Sequence, residues 1–108
     1  ARKVADLAVA RGITYVNHTF TSNLALSASL QPFAGLETHR IAEFPVHTRD
    51  VARAFCVGEI RPDGNGEIHV PDAPGLGVAI DPDGIRRYLK AVEIRVDGRT
   101  LYSTPDPA

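Results

Sequence analysis

The sequence predicts an α/β fold, on three observations. A segment of helical periodicity, Ala1 to Arg11, runs into a β-branched and aromatic stretch, Ile13-Thr14-Tyr15-Val16. A second helical segment from Asn23 is followed by a second short apolar stretch, Arg40 to Val46. The connections between them are a few residues long, and helix, strand, helix, strand with short connections is the pattern of parallel α/β architecture.

The first helix rests on Val4, Leu7 and Ala8 at helical spacing, with Gly12 as the expected C′ residue. The strand Ile13 to Val16 ends at Asn17 and His18. Ser22 then caps a helix, Asn23 onward, that places Leu26, Leu30 and Phe33 on one side and Ala25, Ala28 and Ser29 as small packing residues. Pro32 weakens or ends its last turn and Gly35 closes it. Arg40-Ile41-Ala42-Glu43-Phe44-Pro45-Val46 is expected as a strand, apolar except for Glu43, whose pairing stops at Pro45. In a parallel pair, His18 and Glu43 would share one rim, the strand-end rim where α/β proteins bind ligands.

Beyond Thr48 the pattern changes. Thr48 is expected to cap a short helix through Val57, with Asp50 in its first turn. A hairpin is predicted from Glu59-Ile60-Arg61 and Glu67-Ile68-His69-Val70, turning on Pro62 to Gly66. Pro71 to Val78 reads as a rigid connector, and Asp81-Pro82 as a helix start running to about Leu89. Val92 to Val96 and Arg99 to Tyr102 alternate about Asp97-Gly98, a second hairpin, and Ser103 to Ala108 should fray.

With 108 residues, 44% hydrophobic and 23% charged, the chain suits one domain with one modest core. A net charge of -1 without any basic run gives no reason to expect nucleic acid or an anionic membrane as partner. No apolar run reaches bilayer-spanning length and no signal peptide opens the chain, so the cytoplasm is the expected compartment. Cys56, between Phe55 and Val57, reads as a buried small hydrophobe. Gly75-Leu76-Gly77 lacks a phosphate loop's third glycine and reads as a turn. His39, His47 and His69 lack zinc-ligand spacing and read as solvated surface residues, and Arg86, Arg87 and Lys90 as an exposed charged helix face.

His18 and Glu43 remain as candidates for chemistry. A histidine titrates near neutral pH, and a carboxyl in an apolar setting can stay protonated, so together they can move a proton and hold an enolate oxygen. The alternatives are a structural histidine at a strand end and a salt-bridged strand glutamate.

Several stretches resemble the C-terminal part of enolase-superfamily enzymes of the mandelate racemase and muconate lactonizing type. They are Val16-Asn17-His18, the Ala-, Leu- and Ser-rich helix after it, Ile41-Ala42-Glu43, and above all Val70-Pro71-Asp72-Ala73-Pro74-Gly75-Leu76-Gly77-Val78, the most specific of them and a structural signature. The resemblance covers nearly all the chain to Leu89. It implies a (β/α) TIM-type barrel whose last two strands and their helices lie here, in residues 1–90, and a segment, 91–108, that returns to a capping domain. It implies abstraction of the proton α to a carboxylate, with magnesium holding the small-molecule carboxylate substrate. His18 then matches the seventh-strand general base or acid, and Glu43 the eighth-strand glutamate that hydrogen-bonds the enolate, with Glu37 competing for that role. The family's metal-binding acids, lysine motif and histidine-partnering aspartate lie on earlier strands, none of them in this chain. A whole barrel takes about 250 residues. The chain is therefore expected to be an inactive, metal-free C-terminal fragment of a lyase or isomerase, most simply an acid-sugar dehydratase. A racemase or epimerase is the nearest variant, and a small non-catalytic binding or assembly domain the alternative if the chain is complete. Unpaired edges in the tail predict a homo-oligomer.

Overall fold

The computed structural model of the chain describes residues 1–32, 34–36 and 39–105. Three sequence expectations, Phe33 on the second helix's apolar side, Glu37 as competing carboxyl and the end of the tail from residue 106, lie outside the described residues.

α1, Arg2–Ala10, ends in a Schellman motif: the Gly12 N–H donates to Val9 O and the Ile13 N–H to Ala8 O, with Gly12 at φ 66°. The chain then runs extended to Ser22, whose hydroxyl accepts from the Ala25 N–H and caps α2, Asn23–Leu30. Leu26 and Leu30 of α2 form the buried core with Ile60, against Tyr15, Leu36, Ala42, Phe44, Ile68, Val70 and Val78. The segments on either side of the predicted rim thus pack on one helix.

Neither Ile13 to Val16 nor Arg40 to Val46 forms a strand, which corrects the expected parallel pair. The reason is a side chain inserted between them. The Asn17 amide occupies both peptide groups of Glu43, and a side chain so placed holds two backbones farther apart than the roughly 4.8 Å of paired strands. Burial still alternates with period two from Tyr15 to Phe20, so the segment keeps a strand's two faces.

The third helix, α3, spans Asp50–Ala54, shorter than expected. Thr48 does not cap it: its hydroxyl instead accepts from Arg53 Nε at 3.2 Å. Cys56–Val57 (β1) leaves the helix to pair antiparallel with Ala79–Ile80 (β2). The hairpin expected across 59–70 forms its turn but no strand ladder. Asp63 Oδ1 accepts the N–H groups of both Asn65 and Glu67, which takes the Glu67 N–H away from cross-strand pairing.

α4, Pro82–Arg86, starts as predicted, with the Asp81 carboxylate accepting from Gly84 N–H and Pro82 at the first position. It stops short of Leu89, the chain tightening into three-residue turns at Tyr88 and Leu89. β3, Glu93–Val96, and β4, Arg99–Ser103, form the predicted antiparallel hairpin, with Asp97 and Gly98 both at positive φ and a bulge between Ile94 and Arg95. Every residue of both strands is exposed. A radius of gyration of 17.8 Å exceeds the roughly 13 Å of a compact domain of this length, in keeping with so small a core. No helix among the described residues is long and apolar enough to cross a membrane.

Candidate functional site

Consecutive residues of an extended segment point to opposite sides. Asn17 therefore turns inward, 2% exposed, while His18 turns out to the rim. Both reach the same residue. Asn17 Nδ2 donates to the Glu43 carbonyl at 3.0 Å, the Glu43 N–H donates to Asn17 Oδ1 at 2.8 Å, and His18 Nδ1 lies 2.7 Å from Glu43 Oε2. Asn17 Nδ2 also donates to Ser29 Oγ at 3.1 Å, and that hydroxyl donates to Leu26 O, so the clamp is anchored on α2.

The predicted pair is thus brought together across 25 positions of sequence. The imidazole is largely exposed and the carboxylate about one-third exposed, so the contact stands at the surface with its acid end partly sheltered. Phe20 sits edge-on to the His18 ring, centroids 5.2 Å apart. In the tautomer that donates Nδ1–H to Glu43 Oε2, the lone pair lies on Nε2, where it can accept a proton. Asn17 was not singled out as a site residue from the sequence. Its signal was available: a polar residue alternating with Tyr15 on the inward side of an apolar segment must find hydrogen-bond partners.

Of the other histidines, His47 and His69 are exposed as expected and His39 departs from expectation. His39 is not a solvated surface residue: its ring nitrogens are buried and the ring stands edge-on to Tyr15 at 6.2 Å. His69 Nε2 contacts Asp63 Oδ2 at 3.0 Å. With Glu67 these two are the only described group of three ligand-type side chains close enough to share an ion, within 4.8 Å, and all three are exposed. Asp63 is already engaged; the bonds from the Glu67 N–H, His69 and the Asn65 N–H hold its carboxyl below the usual carboxylate range. The Cys56 thiol is buried as expected, and burial raises its pKa.

An open groove of about 1150 Å³ lined by Leu30, His39, Ile41, Ile68 and Val70 among others does not include His18 or Glu43. Nor do the residues at the rim make a magnesium site. That ion takes near-octahedral oxygen coordination, and the described residues gather no group of three ligand-type side chains around Glu43.

Residues 1–84 match the family described as enolase C-terminal domain-like. The chain is similar to D-galactarolactone cycloisomerase of Agrobacterium fabrum, 27% identical over 94 residues that make up 81% of this chain and 25% of that protein. It is similar to D-xylonate dehydratase of Haloferax volcanii, 29% identical over 102 residues, 94% of this chain and 23% of that one. Among solved structures, a crystal structure described as a predicted mandelate racemase from Rhodobacter sphaeroides superposes with a TM-score of 0.90 at 57% identity, over 96% of this chain and 27% of that one. The chain thus spans about a quarter of the length of the relatives it matches. It belongs to the enolase superfamily, as the C-terminal part of a member of the mandelate racemase and muconate lactonizing type.

Proposed function

We propose that the whole protein is an acid-sugar dehydratase that removes the proton α to a carboxylate, and that His18 and Glu43 are its catalytic residues in this segment. The observation that carries the reading is the 2.7 Å contact between His18 Nδ1 and Glu43 Oε2 at an exposed rim. It leaves His18 Nε2 as the proton-transfer atom. The likeness to D-xylonate dehydratase supports the substrate class.

In this reading the chain supplies the last two strand positions of a (β/α) barrel in residues 1–90, and 91–108 return to a capping domain. Magnesium, whose role when bound is to hold the substrate carboxylate, takes its ligands from outside this segment. His18 Nε2 accepts the α proton as the C–H electron pair passes into the enolate. The same imidazolium then protonates the β hydroxyl, the C–O bond breaks, and water leaves; the enol product becomes a 2-oxo acid. Glu43 holds the imidazole orientation through Oε2, and only with its carboxyl protonated can it also donate a hydrogen bond to the enolate oxygen. Where no capping domain covers it, the exposed hairpin of β3 and β4, with Ile94, Val96 and Leu101 about half or more exposed, supports assembly with further copies.

A racemase or epimerase is the second reading, favoured by the description of the 57% identical structure. One experiment separates them. The whole protein is incubated with magnesium and a panel of aldonic and aldaric acids in deuterium oxide, and products are followed by proton NMR. A 2-oxo acid lacking one hydroxyl identifies the dehydratase; deuterium at the α carbon with every hydroxyl retained identifies the racemase or epimerase. No conversion of any acid overturns the dehydratase and the racemase or epimerase readings alike.

A further inference from the structure

We infer that Phe20 is a specificity-determining residue, whose phenyl ring packs on the substrate's carbon chain beyond the α carbon and selects acid sugars with one carboxylate over those with two. The inference rests on the reading of His18 as the group that moves the α proton, and it does not depend on what partners the imidazole. Burial alternates with period two through this extended segment, so Val16, His18 and Phe20 face outward together while Asn17 faces in. Phe20 is the next residue on that face beyond the histidine. It therefore lies toward the rim, the side on which barrel enzymes hold their substrates.

The distances put the ring within reach of what His18 acts on. The two ring centres are 5.2 Å apart, with the planes at 70°. A carbon poised to give up its proton stands about 3–3.5 Å from the nitrogen that takes it, and hence about 4–5 Å from the centre of the imidazole. Phe20 thus stands about as close to that centre as the substrate must come. In the same reading magnesium, held from outside this segment, takes the substrate carboxylate. What is left beside this segment is the carbon chain beyond the α carbon. Phe20 is 55% exposed, so it has apolar surface to offer that chain.

A phenyl ring has no hydrogen-bonding group. It can cover C–H bonds, but it cannot replace the water that a carboxylate loses on coming against it. A terminal hydroxymethyl group turns its oxygen away and keeps its C–H bonds on the ring. A terminal carboxylate has no C–H bond to present and brings a charge. The ring therefore favours aldonic acids such as xylonate over aldaric acids such as galactarate.

The test uses the whole protein with magnesium, its phenylalanines replaced by a fluorinated analogue, and the Phe20 fluorine is assigned by its loss in Phe20→Leu. Fluorine NMR is read as each aldonic and aldaric acid of the panel is added, xylonate and galactarate among them. Unlabelled protein gives kcat and KM on the same acids, and circular dichroism checks folding. The expected result is a Phe20 resonance that moves with aldonic acids and stays in place with aldaric ones. Phe20→Ala should raise KM for an aldonic acid about 10–100-fold with kcat changed less than about threefold, and Phe20→Arg should shift the kcat/KM ratio toward aldaric acids by about tenfold or more. A fluorine that moves with no aldonic acid, or as far with aldaric acids, overturns the inference, as does a folded Phe20→Ala protein with unchanged KM. If the fluorine moves as expected and no acid is turned over, the dehydratase reading fails while the packing of Phe20 on aldonic acids stands.

Discussion

Ser27, wholly buried on α2, donates its hydroxyl hydrogen to the carbonyl oxygen of Leu76 at 2.5 Å, 49 residues downstream. The bond ties the helix that follows His18 to the connector between Pro71 and Val78, within the residues that match the family. Ser27→Ala leaves the Leu76 carbonyl without that donor in a site where the serine side chain excluded water. A loss of about 1–2 kcal/mol is expected, read as a lowered midpoint in urea unfolding, with the slope unchanged.

Two glycines in the same connector separate crowding from backbone preference. Gly75 and Gly77 both sit at positive φ, 73° and 67°. A Cβ at Gly75 meets nothing, whereas one at Gly77 would overlap Pro71. Gly75→Ala should cost about 1 kcal/mol, the backbone term alone. Gly77→Ala should cost clearly more, and equal midpoints for the two variants in thermal unfolding would refute the close approach of Pro71.

How much of this was legible in the sequence depends on whether a signal was local. The Ser22 and Asp81 caps, the Gly12 helix end and the Asp97-Gly98 turn each follow from residues within five positions of one another, and each formed as read. The two central strands did not, because a β-branched stretch says only that a segment can be extended; a ladder needs a neighbour at the right spacing. Asn17 stands in that gap instead. The hairpin at 59–70 failed for a local reason that was visible, since Asp63 can compete for the turn's own N–H groups. His18 and Glu43 were placed on one rim by topology, and they met there although the sheet meant to carry them is absent among the described residues.

Asp63 gives the turn between Pro62 and Glu67 an acid-sensitive component. Its carboxylate accepts from Glu67 and Asn65 and meets His69, so its folded pKa lies below the unfolded value of about 3.9. A lowered folded pKa means that the folded state binds the proton less readily than the unfolded one. The stabilisation is therefore fully present above about pH 4 and is lost as pH falls through the lower, folded pKa. Asp63→Asn should remove this dependence: the two proteins should differ in urea midpoint near neutrality and converge in acid. A constant difference down to about pH 2 would show that the carboxylate charge is not involved.

Cys56 is 6% exposed on β1 and burial raises its thiol pKa. Both effects act in one direction, since attack on a disulfide reagent needs an accessible thiolate. Labelling by an aromatic disulfide at mildly alkaline pH should be slow in the folded protein and should rise with urea in step with unfolding. Rapid labelling without denaturant would place the thiol at the surface and contradict its packing.

The sharpest functional prediction concerns the two roles at the rim. If His18 Nε2 moves the proton, His18→Asn should lower kcat of the whole protein by about 10²–10⁴-fold, and no exchange of the α proton with deuterium oxide should survive. Glu43→Gln keeps the shape and the acceptor oxygen but removes the charge that favours the Nδ1–H form, so a smaller loss is expected, with some α-proton exchange retained. In the double variant the two losses should fall well short of adding in free energy, because once the imidazole is gone Glu43 has no ring left to orient. Full additivity would mean that the carboxyl acts on substrate independently of His18. Exchange measured beside turnover then separates the two steps: a variant that exchanges the α proton but forms no product has lost the departure of the hydroxyl, and one that does neither has lost the base.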